Sequence, residues 1–137
     1  MFPGGAAARF FTFPMTTTLY GIPNCDTVKK ARTWLQDHGI DFAFHDFKKQ
    51  GLTPELVQAW LHDLDWTILV NRKGTTWRNL PDERKASIVD ADSAMALMLE
   101  NPSVIKRPVV QGAGPVTVGF SAAAFEAKFE EKFRAAP

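Results

Sequence analysis

The alternation of apolar and polar positions near the start of the chain predicts a strand, a tight turn and a helix within residues 18–35. The helix is indicated by four positions that recur on one helical face: Val28, Ala31, Leu35 and His38. Gly39 then provides a C-terminal stop, and the alternating residues 42–47 predict a second strand. A strand, a helix and a further strand in this order predict a right-handed parallel βαβ unit.

The middle of the chain has the periodicity of helices. Apolar positions within residues 52–64 predict an amphipathic helix, with Thr53 as the N-cap and Pro54 at the first helical position. A later helix is predicted to begin near Asp90 and to end before Pro102. Between these two helices we expect short helical turns at residues 66–70 and 82–86 and a polar loop at residues 71–78.

The last third of the chain changes to the short period of strands. Residues 105–110 and 116–120 predict a hairpin around a glycine-containing turn at residues 112–115. Ser121 is expected to cap a final helix. Three phenylalanines at four-residue spacing form the stripe that would pack this helix on the sheet: Phe125, Phe129 and Phe133.

Length, composition and charge are those of one small globular domain. The chain has 137 residues, of which 45% are hydrophobic, enough for a single packed core. Its 16 basic and 15 acidic residues give a net charge of +1, which marks neither a nucleic-acid surface nor a membrane surface. We expect residues 15–137 to form the domain and residues 1–14 to be a disordered or artefactual extension, with Met15 as an alternative start.

Cys25 is the single cysteine of the chain. A lone cysteine excludes an internal disulfide, and Val28 occupies the position that the second cysteine of a Cys-x-x-Cys pair would take. This cysteine usage favours a reducing, cytoplasmic compartment. Any disulfide that Cys25 forms must therefore be resolved by a thiol from another molecule.

Cys25 is also the first candidate for chemistry, because the predicted turn puts it at the N-terminus of a helix. Unpaired backbone N–H groups and the positive end of the helix dipole favour a thiolate there. Lys29 would add positive charge one turn along, whereas Asp26 would oppose it. The alternative is a buried structural cysteine, the commoner use of a free thiol. The 3 histidines lack metal-ligand spacing, so no metal is expected.

Four segments together resemble the arsenate reductase (ArsC)/Spx family and, within it, the YffB-like branch. They are residues 19–31, 44–46, 72–78 and 105–109, and the resemblance extends over residues 17–133. It implies an α/β, thioredoxin-like fold, which is a mixed four-stranded sheet with helices on both faces and a helical insertion.

The resemblance also implies roles for individual residues. Cys25 would be the catalytic thiol, and Arg107 would precede a cis proline at Pro108. Arg72 and Arg107 would hold an anionic group near the sulfur, since planar guanidinium groups bind oxyanions and carboxylates bidentately. The substrate-binding set is completed by residues of the turn and the first helix: Asn24, Thr27 and Lys29.

These features favour a glutathione-dependent thiol reductase, in which a second, external thiol resolves a mixed disulfide at Cys25. Glutathione or a small oxidised thiol would be the partner, and no tightly bound cofactor is expected. Arsenate reduction is one alternative, but residues 119–121 lack the third anion-binding arginine that arsenate reductases of this family carry. The other alternative is a non-enzymatic module that, like Spx regulators, binds RNA polymerase as its protein partner.

Overall fold

A mixed four-stranded sheet forms the centre of the fold. The computed structural model describes residues 16–130, so the predicted extension at residues 1–14 and Phe133 lie outside the described residues. The strands are β1 (Thr17–Gly21), β2 (Phe42–Asp46), β3 (Val109–Gln111) and β4 (Thr117–Val118). They lie side by side in the order β2-β1-β3-β4.

Eight helices surround this sheet within residues 16–130. They are α1 (Asp26–Asp37), α2 (Phe47–Gln50), α3 (Pro54–Asp63), α4 (Trp66–Leu69), α5 (Thr75–Arg78), α6 (Asp82–Ser87), α7 (Ala91–Glu100) and α8 (Ala122–Lys128). A 3-10 turn at Pro102–Val104 follows α7. None of the helices in this part of the chain is long and apolar enough to cross a membrane.

Strand pairing confirms both predicted supersecondary units. β1 and β2 are parallel, with Thr17 opposite Phe42 at one end and Gly21 opposite Asp46 at the other. β3 is antiparallel to β1, and β4 is antiparallel to β3. The chain therefore contains a βαβ unit followed by a helical insertion and a β-hairpin, which is the thioredoxin-like arrangement.

The two faces of the sheet carry separate hydrophobic clusters, because neighbouring residues of a strand point to opposite sides. Leu19 and Val110 belong to the cluster on the side of α1 and α8, and Tyr20 and Val109 belong to the cluster on the side of the insertion. The first cluster includes Val28, Ala31, Leu35, Phe125 and Phe129, and the second includes Val57, Trp60, Leu97 and Met98. Helices on both faces of the sheet are thus confirmed.

Side-chain caps fix the helix boundaries where the sequence predicted them. Thr53 Oγ1 accepts a hydrogen bond from Leu56 N at 3.2 Å, and Ser121 caps α8 in the same way. Asp90 forms a capping box with Ser93. Hydrogen bonds from the backbone and side chain of Ser93 lower the pKa of the Asp90 carboxyl group.

The segment predicted as a polar loop at residues 71–78 is a loop only in its first part. Thr75–Arg78 form α5, which begins where Arg78 N donates to Gly74 O at 3.1 Å. Trp77 packs against the core of the insertion. The prediction of a loop was wrong for this half, because a single apolar anchor in a polar stretch gives no helical period to detect.

Two further predictions differ from the structure in detail. The strand expected from Ile105 begins only at Val109, since Pro108 has no backbone N–H to pair, and Ile105 instead forms an isolated bridge with Val70. His38, expected on the buried stripe of α1, is the exposed C-cap residue, and its ring stacks on Trp34 with centroids 3.8 Å apart.

Candidate active site

The C-terminal end of β1 is the sheet edge at which the candidate residues gather. β1 ends at Gly21, and the turn that leads to Cys25 follows it. Val109 is paired with Tyr20 on one side and with Val118 on the other. Because β3 is antiparallel to both neighbours, the segment before Val109 and the segment after Val118 both lie at this same edge.

Cys25 is the N-cap residue of α1, as predicted. Its backbone is extended, with φ −123° and ψ 125°, and its side chain makes no capping hydrogen bond. The residue is partly exposed and packs at the margin of the α1–α8 cluster, which Phe120 also borders. An N-terminus without a side-chain acceptor leaves its N–H groups available to an anion, and Cys25 at this N-terminus is partly exposed.

The predicted residues around Cys25 lie at the surface. Asn24 and Thr27 are exposed on either side of it. Lys29 is exposed one turn along, where its backbone N–H donates to Cys25 O at 2.9 Å. The Lys29 side chain lines a shallow groove that reaches Phe120.

Arg107 is partly buried, and the peptide bond between Arg107 and Pro108 is cis, as the resemblance implied. The Arg107 guanidinium donates from Nη1 to Ser103 O at 3.0 Å, which anchors it to the 3-10 turn. Its buried Nε has no hydrogen-bond partner within residues 16–130. The guanidinium therefore keeps donor capacity beyond its structural hydrogen bond.

Arg72 lines a cavity of about 400 Å³, which we call the α4 groove. The polar residues that line the α4 groove are Thr67, Asn71, Arg72, Lys73 and Lys106. The Arg72 guanidinium lies 5.7 Å from the centre of the Trp66 ring, within the range of a cation–π contact. Two hydrogen bonds from Thr67 lower the pKa of the nearby Asp65 carboxyl group, and Arg72 adds to this shift. Arg72 is thus held at the rim of a polar groove.

An antiparallel bridge between Val70 and Ile105 brings distant basic residues together. Lys106 N donates to Leu69 O at 2.7 Å and Asn71 N donates to Val104 O at 2.8 Å, one hydrogen bond on each side of the bridge. Arg72, Lys73 and Lys106 line the α4 groove together. With Arg107, the sequence neighbour of Lys106, we call these residues the basic region.

Lys106 is a candidate that the sequence analysis missed. It lines the α4 groove and also a second cavity of about 300 Å³, which we call the α8 groove. The polar residues that line the α8 groove are Lys106, Thr117, Ser121 and Lys128. The one available signal was its position next to Arg107, because a surface lysine has no pattern of its own. Only the bridge and the hairpin reveal that Lys106 separates two grooves.

A match to a family model decides the identity of the chain. The model of the ArsC family matches residues 20–128, which include every residue of the basic region and Cys25. The protein belongs to the ArsC family. The resemblance on which the sequence analysis relied is therefore confirmed.

Solved structures and sequence relatives agree with this membership. An arsenate reductase (ArsC) related protein from Brucella melitensis is 51% identical, has a TM-score of 0.68, and matches over 88% of this chain and 99% of its own. A YFFB protein is 44% identical, with a TM-score of 0.78, over 82% and 98% of the two chains. The global transcriptional regulator Spx of Streptococcus agalactiae is 30% identical over 107 residues, 76% of each chain.

Within this ArsC-family protein, Cys25 and Arg107 lie at the same end of the sheet, but no direct bond joins the thiol to either arginine. Among residues 16–130, no hydrogen bond or ion pair links Cys25 to Lys29, Arg72 or Arg107 through their side chains. The roles assigned to these side chains, and to Asn24 and Thr27, remain predictions. No group of three or more potential metal ligands occurs among the described residues.

Proposed function

We propose that this protein is a monothiol oxidoreductase that uses glutathione as its reducing co-substrate. The observation that supports this most directly is the position of Cys25, a partly exposed thiol at an uncapped helix N-terminus. Backbone N–H groups and the helix dipole stabilise a thiolate at such a position, and the thiolate is the reactive form. Membership of the ArsC family supports the same class of chemistry.

The proposed reaction consists of two thiol–disulfide exchanges. In the first, the Cys25 thiolate attacks a glutathionyl mixed disulfide, forms a bond to the glutathionyl sulfur and releases the other sulfur as a thiolate, which takes a proton from water. In the second, a glutathione thiolate attacks the Cys25 mixed disulfide, releases the Cys25 thiolate and forms glutathione disulfide. Each turnover consumes one glutathione, and the second glutathionyl group of the glutathione disulfide comes from the substrate.

The basic region would hold the anionic groups of glutathione. The Arg107 guanidinium uses one of its donors on Ser103 O and retains others, and Arg72 lines the α4 groove. Guanidinium groups bind carboxylates bidentately, and each charge-assisted hydrogen bond is stronger than a neutral one. Lys29 would add positive charge on the α1 side of Cys25.

The experiment that tests the proposal follows the thiol itself. The protein is incubated with the mixed disulfide of glutathione and a small thiol, and the intact mass and the release of the small thiol are recorded. We expect one glutathionyl group on the wild-type protein, and turnover when reduced glutathione is added. Cys25→Ser should show neither.

A matched control separates the position of the thiol from its mere presence. Gln58 is an exposed residue of α3, so the double variant Cys25→Ser, Gln58→Cys carries one accessible thiol away from the end of β1. We expect this variant to react slowly and without turnover. Equal turnover by the relocated thiol, or none by the wild-type protein, would refute the proposal.

A second candidate function is suggested by the Spx relatives. A regulator named Spx is 30% identical to this chain over 76% of its length. Binding of RNA polymerase, a non-enzymatic role, is therefore the second candidate function. Binding of purified RNA polymerase by both wild-type protein and Cys25→Ala would favour it. Arsenate reduction has less support, since Gly119, Phe120 and Ser121 provide no arginine at the end of β4.

A further inference from the structure

We infer that Lys106 is the specificity-determining residue of a two-armed site for an elongated ligand that carries two anionic groups. The inference rests on the proposed function, because it describes the form of substrate that the basic region would accept. The two arms are the α4 groove and the α8 groove, which meet at Lys106 and Val118.

The backbone holds Lys106 firmly between the arms. Its N–H donates to Leu69 O at 2.7 Å, which fixes it beside the α4 groove. On the other side its stem lies next to Gly119, whose absent Cβ would come within 3.5 Å of Lys106 Cε. The side chain therefore crosses the boundary between the two grooves and lines both of them.

The charges of the lining residues select for an anion in each arm. Arg72 and Lys73 line the α4 groove, Lys128 lines the α8 groove, and neither Asp nor Glu is among the described residues that line either one. Positive walls in a recessed surface raise the local concentration of anions. Two separate positive arms fit two anionic groups better than one compact oxyanion.

Of the cations that line the two grooves, Lys106 and Lys73 are the least neutralised by neighbouring groups. The Lys128 ammonium donates to Pro115 O at 2.6 Å and interacts with the Asp63 carboxylate, and Arg72 interacts with Asp65. The Lys106 and Lys73 side chains have no hydrogen-bond or ion-pair partner in residues 16–130. Of these two, only Lys106 lines both grooves, so it can contact either anionic group.

Uncharged donors and apolar atoms complete the site. Asn71 Nδ2 and Thr117 Oγ1 form no hydrogen bond within the described residues, and one of them lies in each groove. Val118 provides an apolar surface at the junction. The ligand that matches these positive, polar and apolar surfaces is a chain of amide groups with a carboxylate at each end. The ligand class is therefore a short peptide-like dicarboxylate.

The α8 groove approaches the thiol through Phe120. Phe120 lines this groove and also packs against the cluster to which Cys25 adds its side chain. Its ring is fixed by an edge-to-face contact with Phe125, with centroids 4.7 Å apart. Phe120 therefore links the α8 groove to the cluster that Cys25 borders.

The test measures binding without chemistry. S-methylglutathione is a thioether that cannot exchange with a thiol, and it carries two carboxylates. Its affinity is measured by calorimetry at low salt for the wild-type protein, Lys106→Gln and Lys48→Gln, the last being an exposed lysine of α2 outside both grooves. We expect Lys106→Gln to weaken binding about five- to tenfold, and Lys48→Gln to leave it unchanged.

Two further measurements make the result specific. Lys106→Arg should retain most of the affinity, because it preserves the charge, and circular dichroism should show that all variants are folded. The dimethyl ester of S-methylglutathione should bind weakly and with no dependence on Lys106. Equal affinities of Lys106→Gln and Lys48→Gln for S-methylglutathione, or no binding to the wild-type protein, would overturn the inference.

The outcome is separable from that of the proposed function. If glutathionyl transfer occurs at Cys25 but Lys106→Gln binds normally, the oxidoreductase proposal stands and the two-armed site fails. If binding depends on Lys106 but wild-type protein transfers no glutathionyl group, the site stands and the proposed reaction fails.

Discussion

Gly21 and Val28 are in close contact where β1 passes into α1: a Cβ on Gly21 would lie 2.7 Å from Val28 Cγ2. Real Cβ atoms do not approach a neighbour so closely, so only glycine allows the end of the strand to pack against the helix at this distance. Cys25 lies on the turn between these two residues. The contact therefore holds the helix N-terminus, and the thiol on it, against the edge of the sheet.

Gly21→Ala should destabilise the protein by about 1–3 kcal/mol, because the added methyl group meets a fully buried valine. Urea unfolding measures the free energy. Val28→Ala removes the opposing methyl groups, so Gly21→Ala should cost less in that background. If the double-mutant cycle of Gly21→Ala and Val28→Ala gives no coupling energy, then the contact between these two residues does not limit how closely β1 packs against α1.

The charge of Asp26 should slow the reaction of Cys25 with anionic reagents. Asp26 is exposed in the first turn of α1 and next to Cys25. Asp26→Asn should raise the rate of alkylation by iodoacetate relative to iodoacetamide by up to about fivefold at low salt, the effect of one unit charge about 4 Å away in water. Lys29→Gln should change the same ratio in the opposite direction. A ratio unaffected by both substitutions would contradict an electrostatic role for these residues.

Phe125 connects the sheet, α1 and the α8 groove. It is 1% exposed and makes edge-to-face contacts with Trp34 and Phe120. Phe125→Ala should reduce the free energy of unfolding by about 3–5 kcal/mol. Urea titration followed by tryptophan fluorescence checks this, and Phe125→Leu should recover more than half of the loss. A loss below about 1 kcal/mol would mean that α8 contributes little to the core.

Lys128 should make stability depend on alkaline pH. Burial lowers the pKa of its ammonium group from the ordinary value of 10.5, and Asp63 opposes this shift. The native state therefore loses this proton at a lower pH than the unfolded state. Between the lowered pKa and 10.5 the unfolded state binds more protons, so stability contributed at this site rises with pH.

The measurement compares Lys128→Met with the wild-type protein. The difference in urea midpoint should shift in favour of the wild-type protein as pH rises from neutral toward 10.5. Lys48→Met, at an exposed lysine of α2, is the control and should show no such trend. A constant difference between wild-type protein and Lys128→Met across this range would contradict the prediction.

Much of the fold could be predicted from local patterns. The βαβ unit, the cap residues Thr53, Asp90 and Ser121, and the final hairpin follow from periodicity and turn chemistry, because each depends on residues close together in sequence. The position of Cys25 at a helix N-terminus follows from the same local pattern. The cis bond at Pro108 came from the family resemblance, since a proline by itself favours trans.

The sequence by itself therefore determined the fold class and the location of the thiol, whereas the tertiary structure decided what surrounds that thiol. The bridge between Val70 and Ile105 joins two basic segments more than thirty residues apart, and no periodic signal marks an isolated bridge. Lys106 acquires its place between two grooves only through that bridge and the neighbouring Gly119. Contacts of this kind depend on the path of the backbone in space, which local sequence preferences do not encode.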